Sequence, residues 1–161
     1  MNSEPIEMAV VQTLAAAGQT LALAESCTGG AIANAITNVP GASKIFLGGL
    51  VAYSNEIKQK FLFVPPQLLE EHGAVSEPVA RAMAEGARKQ FGSDYAVAVT
   101  GIAGPGGGTM EKPVGTVFIS VASARGTMVE RRLNPGDRLD FKVKTVQLAL
   151  NMLLVSTKLS T

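Results

Sequence analysis

The sequence predicts an α/β fold, a single-domain three-layer α/β/α sandwich whose mixed sheet includes a C-terminal antiparallel hairpin. Helical and strand patterns alternate as far as Thr100, which calls for parallel strands joined by helical crossovers. Two β-rich runs then flank Ser123, Ala124, Arg125 and Gly126, a separation suited to a hairpin. The length of 161 residues is that of one ordinary domain, so positions 1–161 are read as a single unit around one core.

The elements follow in order. Ile6, Val10, Leu14 and Ala17 recur at helical spacing and Gly18 follows as a C-terminal cap, predicting a helix over residues 4–17. Residues 21–25 read as a short buried strand, residues 26–30 as a glycine-containing turn, and residues 31–37 as an alanine-rich helix. A second buried strand is expected over residues 46–53, weakened by Gly48 and Gly49. Ser54 or Asn55 can cap a short helix carrying Lys58, which Pro65-Pro66 stops. Ser76, Glu77 and Pro78 start a helix that runs as far as Gln90. Residues 95–100 read as a third buried strand, residues 115–122 and 127–133 as the hairpin, and Asp137 as the cap of a last helix. Val143, Val146, Leu150 and Leu153 are expected on one face of that helix.

Composition excludes several functions. Hydrophobic residues at 47% against 17% charged are enough to bury a core, so the chain is not a disordered one. A net charge of +1 supplies no field for nucleic acid or an anionic membrane, and 5% aromatics supply few stacking surfaces. Cys27 is the only cysteine, which rules out an intrachain disulfide and suits a reducing cytoplasm. No Lys or Arg precedes Lys44, and Glu4 and Glu7 give the wrong charge for a targeting signal, so the mature chain is expected to start near Met1. No stretch approaches the roughly 20 apolar residues of a membrane span. His72 is the only histidine, which argues against a histidine metal site and against a serine-histidine-aspartate triad on Ser26. Neither metal nor cofactor is expected.

Four segments can carry chemistry. In Glu25-Ser26-Cys27-Thr28-Gly29-Gly30 a strand end meets a helix start, where a serine hydroxyl and converging backbone N–H groups can supply a nucleophile and an oxyanion hole. The same serine can equally be an N-cap, and Cys27 is a rival nucleophile or plain packing. In Tyr53-Ser54-Asn55-Glu56-Ile57-Lys58 a lysine falls on the first turn of a helix, whose dipole disfavours its charge and moves it towards a general base. The alternative is a solvated lysine, with Lys60 as the matching control. Thr100-Gly101-Ile102-Ala103-Gly104 opens a glycine-rich loop beyond a strand end, where open α/β sheets bind ligands, though it also fits a flexible crossover. It carries neither a Walker lysine nor a dinucleotide fingerprint. Arg138, in Gly136-Asp137-Arg138, is a cation at a helix start, a conflict that a bound phosphate would remove and that Asp137 and Asp140 can also offset.

Taken in order, these segments with Gly73-Ala74-Val75-Ser76-Glu77-Pro78 and Lys112-Pro113-Val114-Gly115-Thr116-Val117 closely resemble the CinA C-terminal domain family over nearly the whole chain. The resemblance implies a stand-alone nicotinamide-nucleotide amidohydrolase that converts nicotinamide mononucleotide to nicotinic acid mononucleotide and ammonia in pyridine nucleotide salvage. It implies Ser26 as nucleophile, Lys58 as base and Tyr53 as a polar neighbour. Cys27, Thr28, Gly29, Thr100, Gly101, Ala103, Gly104 and Arg138 are the expected substrate-binding residues. A homo-oligomer acting on a small nucleotide is the expected assembly. The family often carries a second arginine where this chain has Lys142, which keeps the charge without bidentate phosphate geometry. A binding or competence-associated module without turnover is the alternative.

Overall fold

The computed structural model describes residues 3–159. Five strands form one mixed sheet in the order β2-β1-β3-β4-β5, namely β1 (Leu21–Glu25), β2 (Phe46–Val51), β3 (Tyr95–Gly101), β4 (Thr116–Ser123) and β5 (Gly126–Leu133). β1 runs parallel to both β2 and β3, while β4 and β5 are antiparallel additions joined as the expected hairpin. Helices α1 (Ile6–Ala17), α2 (Ala31–Thr37) and α6 (Arg138–Lys158) cover one face. Helices α3 (Asn55–Leu62), α4 (Pro66–His72) and α5 (Glu77–Phe91) cover the other, completing the three layers.

Strand alternation makes the two faces unequal. Leu21, Leu23, Tyr95, Val97, Val99, Val117, Ile119 and Val121 point towards α1, α2 and α6 and fill the larger core. Ala22, Ala24, Ala96, Ala98 and Ala122 point the other way and offer α5 a shallow floor. On that floor α5 lays Val79, Met83, Ala84 and Ala87, and its Gly86 lies against the last turn of α3. A β-carbon at Gly86 would stand 1.8 Å from the Leu62 carbonyl oxygen, with backbone that cannot yield. Gly86→Ala is therefore expected to cost about 3 kcal/mol through overpacking, read as a lower midpoint in urea with an unchanged slope. An unshifted midpoint would show that α3 can move aside.

Most element boundaries agree with the sequence reading, and the departures have local causes. Glu4 lies outside α1, and Gly18 caps that helix in the left-handed conformation, φ 64°. The Pro65-Pro66 pair ends nothing by clashing, because α3 has already stopped at Leu62; instead Pro66 opens α4 at the first helical position, where no N–H is needed. Val143 is exposed, in contrast to Val146, Leu150 and Leu153. The buried stripe of α6 contains Phe141 and Thr145, and Val143 lies two residues from each, about 200° around the helix. β2 ends at Val51, not Tyr53, and this early exit has a consequence for the site.

Candidate active site

The carboxyl ends of β1, β2 and β3 lie side by side, and the candidate residues leave from them. The Ser26 N–H donates to the Val99 carbonyl at 3.2 Å, prolonging the β1 ladder by one residue. Alternation then sends Glu25 towards α2 and Ser26 towards α3. Where β2 leaves the sheet, the Ala52 and Tyr53 carbonyls turn away from any strand partner. Ser54 caps α3, its hydroxyl accepting the Ile57 N–H at 3.2 Å, and one residue later Lys58 projects inward on the same side as Leu62.

Lys58 is 1% exposed, so the solvated reading of this lysine does not hold. Its Nζ donates to the Ala52 carbonyl at 2.8 Å and the Tyr53 carbonyl at 3.1 Å, and lies 3.2 Å from Ser26 Oγ. Burial lowers its pKa, and burial rather than the helix dipole is the leading cause. A neutral amine keeps two hydrogens, which the two carbonyls accept, and its lone pair is then left facing the serine hydroxyl. Lys60 is exposed and rests its ammonium 5.5 Å from the Phe61 ring.

Ser26, Cys27, Tyr53, Lys58, Thr100, Gly101, Ala103 and Arg138 line one cavity of about 190 Å³, together with Ala74 and Val75. The last two belong to the loop before α5, a segment whose helix-start signal hid its place in the wall. Thr100 donates its hydroxyl to the Ala74 carbonyl at 2.9 Å, tying β3 to that loop. Arg138 donates Nη1 to the Gly104 carbonyl at 2.7 Å and Nη2 to the Tyr53 hydroxyl at 3.3 Å, so three expected residues meet at the cavity rim. Lys142, one turn further along α6, brings its Nζ to 3.5 Å from where a β-carbon on Gly29 would stand.

One expected substrate contact faces elsewhere. Thr28 is fully buried and gives its hydroxyl to Glu25 Oε1 at 2.6 Å, away from the cavity. Gly29, at φ 59°, shapes the turn, and its N–H is taken by the Ser26 carbonyl at 3.1 Å. Cys27 lines the wall, yet burial pushes its thiol up to about 12, which keeps it protonated and inert as a nucleophile near neutrality. The glycine-rich loop is not a crossover: it joins the antiparallel neighbours β3 and β4, and backbone bonds between Ile102 and Thr116, and between Gly115 and Ile102, pin its base. Among the described residues no three His, Cys, Asp or Glu side chains gather as a metal site, and no helix is long and apolar enough to cross a membrane.

A three-layer α/β domain with a buried serine-lysine pair beyond its parallel strand ends is the class that fold and site define. The model of the CinA C-terminal domain matches residues 3–157, and the chain belongs to that family. A CinA-like protein of Synechococcus sp. (strain CC9902) is 56% identical over 125 residues, covering 78% of this chain and 30% of that protein. One from Geotalea uraniireducens (strain Rf4) is 51% identical over 152 residues, covering 94% and 36%. The chain thus spans about a third of the length of these curated relatives. Among solved structures, the competence/damage inducible protein CihA of Agrobacterium tumefaciens superposes with TM-score 0.91 at 38% identity, covering 96% of this chain and 98% of that one. A CinA superfamily protein of Klebsiella pneumoniae 700603 gives TM-score 0.92 at 32% identity, covering 98% and 99%.

Proposed function

We propose that this domain hydrolyses the carboxamide of a nicotinamide nucleotide, nicotinamide mononucleotide first, to the carboxylate and ammonia. The observation that carries the reading is the buried Lys58 Nζ at 3.2 Å from Ser26 Oγ, with two carbonyls occupying its hydrogens. Lys58 takes the hydroxyl proton as Ser26 Oγ bonds to the carboxamide carbon, and the N–H of Cys27, which no backbone carbonyl among the described residues takes, receives the oxyanion. The proton passes to the amide nitrogen, the C–N bond breaks and ammonia leaves. Water, giving a proton to Lys58, attacks the acyl ester; Ser26 recovers that proton as the carboxylate departs.

The cavity of about 190 Å³ is smaller than an ordinary ligand pocket of roughly 300–1,000 Å³. It suits the pyridine carboxamide, while ribose and phosphate lie along the rim beside Arg138 and Lys142. Arg138→Gln removes a charge-assisted contact of roughly 1.5–3 kcal/mol, so KM for the mononucleotide is expected to rise about 10- to 100-fold with kcat kept. KM for the riboside, which lacks the phosphate, should not move; an equal rise for both would remove the phosphate from this rim.

Solved relatives are named competence/damage inducible proteins, which favours as a second reading a binding module without turnover. Ammonia release from the mononucleotide, measured with chelator present, decides between the two. Release supports the amidohydrolase; binding without release supports the module.

A further inference from the structure

Glu25 takes part in no step of the proposed reaction, yet its placement is unusual for a carboxylate. It is 1% exposed, and three donors converge on it: the Thr28 hydroxyl at 2.6 Å and the Ile32 N–H at 2.9 Å on Oε1, and the Ala33 N–H at 3.0 Å on Oε2. The two N–H groups belong to the first turn of α2, whose own cap residue is Gly30 and has no side chain to offer. The Glu25 backbone is meanwhile held on both sides in the sheet, paired with Val51 and Val99. One residue therefore fixes both ends of the turn at residues 26–30. Its main chain anchors the start to the sheet, and its side chain anchors the far end to α2.

We infer that Glu25 is a positioning residue for the Ser26 centre, its carboxylate bracing the nucleophile turn through Thr28, Ile32 and Ala33. It touches no reacting atom; the inference rests on Ser26 being the nucleophile. A turn free to drift would carry Ser26 Oγ and the Cys27 N–H away from Lys58, and a displacement of about 1 Å at a reacting group costs on the order of 100-fold in rate. Both charged oxygens are needed. Glutamine at position 25 keeps one acceptor for Thr28 and Ile32 but turns its amide hydrogens against the Ala33 N–H, so two donors face each other.

The test uses the full chain with Glu25→Gln, Thr28→Val and Thr28→Ser, followed by thermal melting and by two rates. One is ammonia release from nicotinamide mononucleotide, resolved into kcat and KM; the other is covalent labelling of Ser26 by a fluorophosphonate, which needs no substrate. Glu25→Gln is expected to lower kcat and the labelling rate together by roughly tenfold with KM unchanged, as a misplaced nucleophile would. Thr28→Val should slow both rates in the same way, and Thr28→Ser, which restores the hydroxyl, should recover most of that loss. Wild-type kcat and labelling in a folded Glu25→Gln protein would overturn the inference, as would equal losses in the valine and serine variants. If Glu25→Gln does not fold, the Thr28 pair decides. Labelling that depends on Glu25 in a protein releasing no ammonia would sink the substrate and keep the brace. A wild-type Ser26 that does not label would sink both.

Discussion

Alanine at position 26 is expected to abolish ammonia release while the domain remains folded. Among the described residues Ser26 Oγ is the one hydroxyl hydrogen-bonded to Lys58 Nζ, and its removal takes away a single atom at the cavity wall. No neighbour can replace it. Cys27 is adjacent, but its thiol, pushed up to about 12 by burial, supplies almost no thiolate at neutral pH. The Thr28 hydroxyl is committed to Glu25 on the far side of the turn. A fall in kcat of roughly 10⁴-fold or more follows from losing the covalent route altogether. Ammonia release beside a thermal melt checks it: comparable turnover in a variant melting like the wild type would place the nucleophile elsewhere.

Methionine at position 58 is expected to reduce kcat by roughly 10²- to 10⁴-fold, the usual worth of a general base. Lys60→Met should change little, because Lys60 is exposed and stacked on Phe61. Equal losses in the two variants would point to general electrostatics instead. The pH dependence is a sharper readout. Turnover needs neutral Lys58, so the wild-type rate should climb as pH rises through its lowered pKa and then level, a limb the methionine variant lacks.

Stability carries the same signature with a definite sign. Between the lowered pKa of Lys58 and its ordinary value of 10.5, the unfolded chain binds a proton that the folded chain does not. Stability from this group therefore rises with pH across that window and is flat below it. Cys27 acts oppositely, since its unfolded thiol ionises from 9.0 while the folded one stays protonated, so the comparison is made below pH 9, where the Cys27 contribution is flat. The midpoint of wild type relative to Lys58→Met should accordingly improve as pH is raised. A pH-independent difference would mean that Lys58 is not held below its ordinary value.

Much of the architecture is legible along the chain. β1 and α2 fall at the expected bounds, Gly18 ends α1, and the hairpin closes around Ala124 and Arg125, because these depend on residues a few positions apart. The motif around Ser26 is legible for the same reason: a strand end, a glycine turn and a helix start are local events. The residues that the folded chain brings to one cavity were also mostly singled out, from Ser26 and Lys58 to Thr100 and Arg138. Their surroundings were not. Lys58 looks like any first-turn lysine until α3 is packed against the alanine face of the sheet, and only that packing excludes the water that would keep it charged. Glu25 looks like the polar end of a strand until α2 folds back over it and supplies two N–H groups.

Spacing along a chain states which residues share a face, since the helical and extended repeats are properties of the backbone. It does not state which other face will cover them. Val143 shows this in the scaffold, and Thr28, turned to Glu25 rather than to the cavity, shows it in the site. Desolvation and hydrogen-bond partners are set by segments far apart in sequence. The fold class and the chemistry-bearing segments were therefore decided locally, whereas the protonation of Lys58, the inertness of Cys27 and the brace at Glu25 arise from burial, which exists only once the layers have closed.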